Sequence, residues 1–311
     1  MLGEKLKELR GDLPIILDNE TCVYCGMPLY PGSHTKEHVI GRCFVPKGKL
    51  NGQWNLIVRA HKSCNEKKAD LENDISAISM QADAWGLYAS PDEILVKEAK
   101  RKGENCISRL TRKPVKESLA NLKIKVPFAP GVEFSFDLIS PPQILSDRMF
   151  DLARLQIMAF FYFVTYNKET RRGGFWLGSF FPILESPPTD WGNPLHRAFM
   201  DAVVTWEPRF FGISADEFFK VIIRRHPKPE AICWSWALEW NRKYRVIGFF
   251  GEQEPAEAIA SNFPPLDFVT IAQGPKQHLS GRIETRLDEE KDNLFEWDST
   301  IFRGVSDASL N

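Results

Sequence analysis

Residues 22–26 read CVYCG, and residues 60–68 read AHKSCNEKK. The first stretch holds two cysteines in a C-x2-C arrangement, and the second holds a histidine and a cysteine with the same spacing. Structural zinc sites use about four sulfur and nitrogen ligands, and an x2 spacing lets two side chains of one turn reach the same ion. The pattern therefore predicts one structural Zn²⁺ bound by Cys22, Cys25, His61 and Cys64.

The alternative use of a C-x2-C pair is redox chemistry. No strand-helix pattern typical of thioredoxin-like proteins surrounds Cys22 and Cys25, which argues against that use. Six cysteines in 311 residues are too few for a disulfide framework, and the remaining Cys43, Cys106 and Cys233 are isolated. We interpret these three as small buried side chains.

The composition is that of an ordinary globular protein, with 43% hydrophobic residues, 26% charged residues and a formal net charge of -1. Any basic surface must therefore be local. The first residues, MLGEKLKELRGDLP, lack the apolar segment of a signal peptide. The most apolar run, IMAFFYFV at 157–164, is too short to span a bilayer. We expect a cytoplasmic protein with no membrane association.

The chain divides by pattern into a Cys/His-containing unit (1–90), a basic connector (91–126) and an aromatic-rich domain (127–311). Leu2, Leu6 and Leu9 predict a short amphipathic helix near the start. A continuous apolar pattern predicts a buried helix at about 145–166. The alternation in AICWSWALEWN, followed by YRVIGFFGE, predicts a β-hairpin, and EFFKVIIRR at 217–225 predicts a third strand. The predicted fold class is α+β, with an antiparallel sheet in the larger C-terminal domain.

Three further segments accompany the two Cys/His stretches: EHVI at 37–40, WNL at 54–56 and CNEKK at 64–68. Together with the C-x2-C pair, they resemble the HNH endonuclease family over about residues 20–80. The resemblance implies a zinc-stabilised ββα-metal module in the first unit. It also implies a metal-dependent endonuclease that hydrolyses DNA phosphodiester bonds, in restriction, phage defence or a mobile element. It does not cover residues 127–311.

The same resemblance assigns roles to individual residues. His38 would be the general base, Asn55 would orient its imidazole, and Glu37 and Asn65 would bind a catalytic Mg²⁺ or Mn²⁺. A neutral histidine suits base catalysis at physiological pH, and hard divalent ions take oxygen ligands. Adjacent residues of a regular strand point to opposite faces, so Glu37 and His38 share a site only where the strand is twisted or irregular. His61 is an alternative to Asn65 as the third signature residue.

A nuclease must hold a polyanion, and lysine and arginine supply most of that affinity. Residues 97–125 contain ten Lys/Arg and three Glu, a net charge of +7. We predict that this segment contacts DNA; a solvated helix face is the alternative. The predicted nucleic-acid-binding residues are Arg42, Lys67, Lys68, Arg101, Lys102, Arg109, Arg112 and Lys113.

The role of residues 127–311 stays open at this point. The region could read DNA, stacking a base on the alternating face of Trp234, Trp236 and Trp240, although such a face is also what a strand core requires. It could instead bind a signalling nucleotide or a protein activator, or form a homodimer. The rival for the whole protein is a non-catalytic, zinc-containing nucleic-acid-binding protein.

Overall fold

The computed structural model describes residues 6–9, 12–129, 132–176, 178–274 and 277–297. The strands are β1 (Lys7–Leu9), β2 (Ile15–Ile16), β3 (His34–His38), β4 (Leu56–His61), β5 (Ala120–Ala129), β6 (Val132–Ser140), β7 (Ser179–Ser186), β8 (Glu207–Ser214), β9 (Phe219–Arg225), β10 (Cys233–Trp240), β11 (Tyr244–Gly251), β12 (Phe268–Gly274) and β13 (Gln277–Arg282). The helices are α1 (Lys62–Ser79), α2 (Glu93–Asn105), α3 (Ser146–Val164), α4 (Pro194–Val203) and α5 (Gln253–Ala260). The predicted α+β class is confirmed.

Six strands form the main sheet in the order β1-β8-β9-β10-β11-β7. All neighbours are antiparallel except β1, which pairs parallel to β8. Trp236 and Trp240 of β10 belong to one buried core, and Cys233 and Ala237 on the opposite face belong to a second. β10 is therefore covered on both faces. The three strands predicted from EFFKVIIRR, AICWSWALEWN and YRVIGFFGE are confirmed as β9, β10 and β11.

The predicted buried helix is confirmed as α3. It is apolar on most of its surface because it packs against the main sheet and against the N-terminal unit at once. Phe160 stacks on Phe210 of β8 with ring centroids 4.9 Å apart, and it contacts the edge of Trp54, which precedes β4, at 6.3 Å. Burying aromatic rings of this size stabilises the fold by about 2 kcal/mol each.

A second sheet has the order β2-β4-β3, and β3 and β4 are antiparallel partners with His34 opposite His61. α1 begins at the residue after β4, and α2 packs beside α1. Two antiparallel strands followed by a helix are the order that the family resemblance implies for this unit.

The first and last parts of the chain share one core. β1 pairs with β8, and Trp54, Phe160 and Phe210 lie in the same buried cluster. Lys7–Leu9 is thus a strand where the sequence predicts an amphipathic helix, and Leu2 lies outside the described residues. The predicted boundary between residues 126 and 127 falls inside β5. Within the described ranges, no helix combines the length and apolar character that a bilayer crossing requires.

Candidate metal centre and basic groove

The four predicted zinc ligands converge at one point. The ligand atoms of Cys22, Cys25, His61 and Cys64 all lie within 4.8 Å of one another. The Cys25 Sγ and His61 Nδ1 atoms are 3.3 Å apart. Ligands 2.0–2.3 Å from a tetrahedral ion are separated by roughly 3.5 Å, so the cluster can hold one metal ion.

The surroundings of the cluster suit a cation. His61 Nε2 lies 3.2 Å from the Pro28 carbonyl oxygen, to which it can donate a hydrogen bond that leaves Nδ1 free for an ion. Burial raises the pKa of the Cys22 thiol. Burial, followed by the neighbouring thiols, raises that of Cys64 to about 12. Cysteine binds a metal ion as the thiolate, so an ion at this cluster would displace the protons of Cys22 and Cys64.

The structure separates Glu37 from His38. Thr35 and Glu37 face α1, where Asn65 Nδ2 donates to Thr35 Oγ1 at 3.0 Å and Lys68 Nζ lies 2.8 Å from Glu37 Oε1. His38 alternates to the opposite face of β3, away from α1. β3 is regular up to its last residue, so the predicted sharing of one site by Glu37 and His38 does not occur.

Lys68 occupies the position next to Glu37 where a divalent ion was expected. Its ammonium is 2.8 Å from Glu37 and 2.6 Å from Glu72, and Tyr24 donates to Glu37 at 3.0 Å. Burial acts to lower the pKa of Lys68, but the carboxylates of Glu72 and Glu37 raise it above its ordinary value. Glu37 and Asn65 therefore do not fit a Mg²⁺ or Mn²⁺ site in this arrangement. Lys68, 1% exposed, is likewise out of reach of DNA.

Asn55 has a different task from the one predicted. Its Oδ1 accepts from the Ile40 N–H at 3.1 Å, and its Nδ2 donates to the Ile40 carbonyl at 2.7 Å. Both hydrogen bonds go to the Ile40 backbone, and among the described residues no hydrogen bond joins Asn55 to the imidazole of His38. Asn55 instead fixes the turn that follows His38, and it positions the histidine through the backbone.

His38 lines a groove of about 830 Å³. The basic residues of its lining are Arg42 and Lys47, from the segment between β3 and β4, and Arg101 from α2. Burial, and then the charge of Arg42, lowers the pKa of His38. The imidazole is therefore neutral at physiological pH, as a general base must be.

Arg101 is held at the groove by a buried acid. Its Nε and NH2 atoms donate to the Glu98 carboxylate at 3.0 and 2.6 Å, and the Glu98 side chain is 7% exposed against 54% for Arg101. Hydrogen bonds from Arg101 lower the pKa of Glu98. The remaining guanidinium nitrogen, NH1, is free of this pair. Asp12 is the other acidic residue of the lining.

The other residues predicted to contact DNA differ in their exposure to solvent. Lys102 is buried, with Nζ bonded to the Cys43 carbonyl and to Ser76 Oγ, and burial lowers its pKa; this corrects its assignment to DNA. Arg109 pairs with Asp70 at 2.6 Å. The exposed members outside the groove are Lys67, Arg112 and Lys113.

Two tryptophans of the alternating β10 face, Trp236 and Trp240, lie in the core, and the base-stacking alternative is wrong for them, whereas Trp234 is partly buried. Trp236 is 1% exposed, and Trp240 is fully buried with its Nε1 donating to Gln156 at 2.9 Å. Trp234 stacks on Phe250 with ring centroids 5.9 Å apart. The adjacent cavity, lined in part by Phe161 and Phe250, has about 10 Å³, room for one water and not for a base.

Sequence reasoning missed several residues that build the site. Tyr24 and Glu72 complete the Lys68 cluster, and Lys47 and Glu98 shape the groove. Two of them, Glu72 and Glu98, could have been found from their spacing to a lysine or arginine in the sequence. Lys68–Glu72 is an i,i+4 pair and Glu98–Arg101 an i,i+3 pair, spacings that bring side chains together on a helix. Tyr24 and Lys47 are placed by tertiary contacts that no spacing reveals.

Comparisons of the chain with protein-family models, with curated proteins and with solved structures gave no significant match.

Proposed function

We propose that this protein is a nuclease that hydrolyses DNA phosphodiester bonds in the groove beside His38. The observation that carries the proposal is a neutral histidine lining the same groove as Arg42, Lys47 and Arg101. Cationic side chains bind phosphate without regard to sequence, and a positioned histidine accepts a proton from water. The resemblance of residues 20–80 to HNH endonucleases agrees with this assignment of His38.

In the proposed reaction, His38 accepts a proton from a water molecule while the water oxygen forms a bond to phosphorus. The bond from phosphorus to the leaving sugar oxygen breaks, and that oxygen takes a proton from solvent. Arg42, Lys47 and Arg101 offset the negative charge that builds on the phosphate. No step is assigned to Mg²⁺ or Mn²⁺, because Lys68 holds the carboxylate of Glu37.

The metal that we propose for Cys22, Cys25, His61 and Cys64 is zinc, in a structural role. It would tie the segment before β3 to the start of α1. Restriction, phage defence or a mobile element is the setting we propose, with a nucleotide or a protein as the activator.

A second candidate function is supported by the separation of Glu37 from His38. A zinc-containing protein that binds nucleic acid without cutting it would use the same groove and need no carboxylate beside the histidine. It predicts DNA affinity with no cleavage in any divalent ion.

Plasmid cleavage by the full chain, with Mg²⁺, Mn²⁺ or EDTA, separates the two candidates. We expect His38→Ala to lower the cleavage rate by about 10²–10⁴-fold at unchanged metal content. His34→Ala is the matched control, because His34 lies on the same strand and contacts the Tyr30 carbonyl at 3.2 Å. DNA binding by wild type without any cleavage would overturn the nuclease proposal and support the second candidate.

A further inference from the structure

One wall of the groove is the loop 47–53, between β3 and β4. It is a chain of tight turns in which Asn51 N–H donates to the Gly48 carbonyl at 2.9 Å. Gly48 and Gly52 have φ of +90° and +63°, a region that glycine adopts without strain. Short turns rich in glycine have few internal restraints, so the wall needs an external support to keep one shape.

That support comes from the main sheet. Asp216, in the turn between β8 and β9, accepts from both ends of the loop. Its Oδ2 lies 3.1 Å from Lys49 Nζ, and its Oδ1 lies 3.5 Å from Gln53 Nε2. Lys49 is also bound by Asp92 at 2.6 Å, at the start of α2. One carboxylate of the large sheet thus holds two points of the groove wall.

The turn that presents Asp216 is strained. Ala215, Asp216 and Glu217 have φ of +56°, +51° and +66°, and none is glycine. Successive left-handed residues with side chains cost free energy and persist only where neighbouring contacts hold them. Arg242 donates to the Asp216 carbonyl at 2.7 Å and supplies such a contact.

The end of the loop is fastened by the same strand connection. Trp54 Nε1 donates to the Ile213 carbonyl, and Ser214 Oγ donates to the Trp54 carbonyl at 2.7 Å. Ile213 and Ser214 of the large sheet therefore hold Trp54 by hydrogen bonds. The next residue, Asn55, fixes the turn beside His38.

We infer that Asp216 is a positioning residue for the groove: through it the large sheet sets the loop 47–53, and with it the fit of the DNA backbone beside His38. The effect on DNA binding rests on the proposed function, whereas the restraint that Asp216 places on the loop 47–53 does not. Asp216 acts through Lys49 and Gln53 and touches no reacting group.

The test is Asp216→Asn in the full chain, which removes the charge and keeps a side chain tolerant of left-handed φ. The first readout is limited trypsin cleavage after Lys47, which needs no nuclease activity. We expect cleavage to be about two- to fivefold faster than in wild type, the range that an exposed ion pair allows. Glu217→Gln is the matched control, because it removes the neighbouring charge, which contacts Lys220 at 3.6 Å and not the loop.

The second readout is the fit of DNA. We expect KM for plasmid to rise by about two- to fivefold with kcat unchanged. The dissociation constant of a short fluorescein-labelled DNA duplex should rise by the same factor, and this holds for a protein that binds without cutting. Equal rates of tryptic cleavage in wild type and Asp216→Asn would overturn the inference that Asp216 restrains the loop 47–53. Faster trypsin cleavage with unchanged DNA affinity and KM would overturn the positioning role. Neither result bears on whether His38 is the base.

Discussion

The three-stranded sheet and the six-stranded sheet of this protein are stabilised by different means. β10 of the large sheet is covered by apolar residues on both faces. The β3–β4 pair also has an apolar face, formed by Leu56, Val58 and Ala60, but it adds the ion cluster of Glu37, Lys68 and Glu72 against α1 and ends at the Cys/His cluster. The small sheet carries the candidate functional residues, and we expect its stability to depend on a metal ion at the Cys/His cluster and on contacts with the large sheet.

The largest expected difference between the two sheets is in the response to losing a buried cysteine. Cys22 and Cys233 are both fully buried, but only Cys22 belongs to the metal cluster. We expect Cys22→Ala to lose the bound metal and more than about 5 kcal/mol of unfolding free energy, because metal binding and folding of such units are coupled. Cys233→Ala should cost about 1 kcal/mol and keep the metal. Metal analysis and denaturant unfolding of both variants test this, and equal losses would remove the distinction.

Removing one ion from the Lys68 cluster should be the next largest effect. Lys68→Met leaves the carboxylates of Glu37 and Glu72 buried without a cation, which we expect to cost about 3–5 kcal/mol. The double variant Lys68→Met/Glu37→Gln should recover part of that loss. Lys67→Met, at an exposed neighbouring position, is the control and should be nearly neutral. Unfolding midpoints in urea are the measurement, and a neutral Lys68→Met would show that the cluster does not support the small sheet.

The large sheet should show its own sensitivity, to acid. His196 of α4 is fully buried, and burial, followed by the charge of Arg245, lowers its pKa to about 4. The unfolded chain therefore binds a proton below about pH 6.5 that the folded chain accepts only near pH 4. Stability should be full above pH 6.5 and fall by up to about 3 kcal/mol as the pH drops to 4. His196→Asn should flatten this part of the profile, measured by denaturant unfolding between about pH 4 and pH 7.

The smallest expected effect is on the groove wall from α2. Arg101→Ala removes one phosphate contact, so DNA affinity should fall by about two- to fivefold at low salt. Lys113→Ala, exposed and outside the groove lining, is the control. Fluorescence anisotropy across a salt series measures both. A similar loss in the two variants would mean that DNA does not use the groove.

The sequence predicts elements well where the pattern is local. α3 and the strands β9, β10 and β11 follow from apolar periodicity, and the four metal ligands follow from two x2 spacings. β1 is missed because three residues carry too little pattern and their partner is Phe210–Gly212, far along the chain. The spacing of the leucines favours a helix locally, but the segment forms a strand because it pairs with a distant part of the chain.

The site is predicted less completely than the metal centre. His38 and Arg101 do reach one groove, but charge alone does not distinguish an arginine that faces solvent from Lys102, which is buried against Ser76. Adjacent positions in a motif do not imply one site either. Because side chains alternate along a strand, Glu37 faces α1 and His38 faces the groove. The residue types of the EHVI motif do not show which face of the strand each side chain occupies.

The pairing of β1 with β8 also sets the order of events on the ribosome. Lys7 lies opposite Phe210, so the first strand leaves the exit tunnel about 200 residues before its partner exists. At about 5–20 residues per second, that interval is on the order of 10–40 s. The Cys/His cluster is complete once Cys64 has been made, so it could bind a metal ion early in that time. The edge of the main sheet closes only after the strands that follow residue 206 have been made.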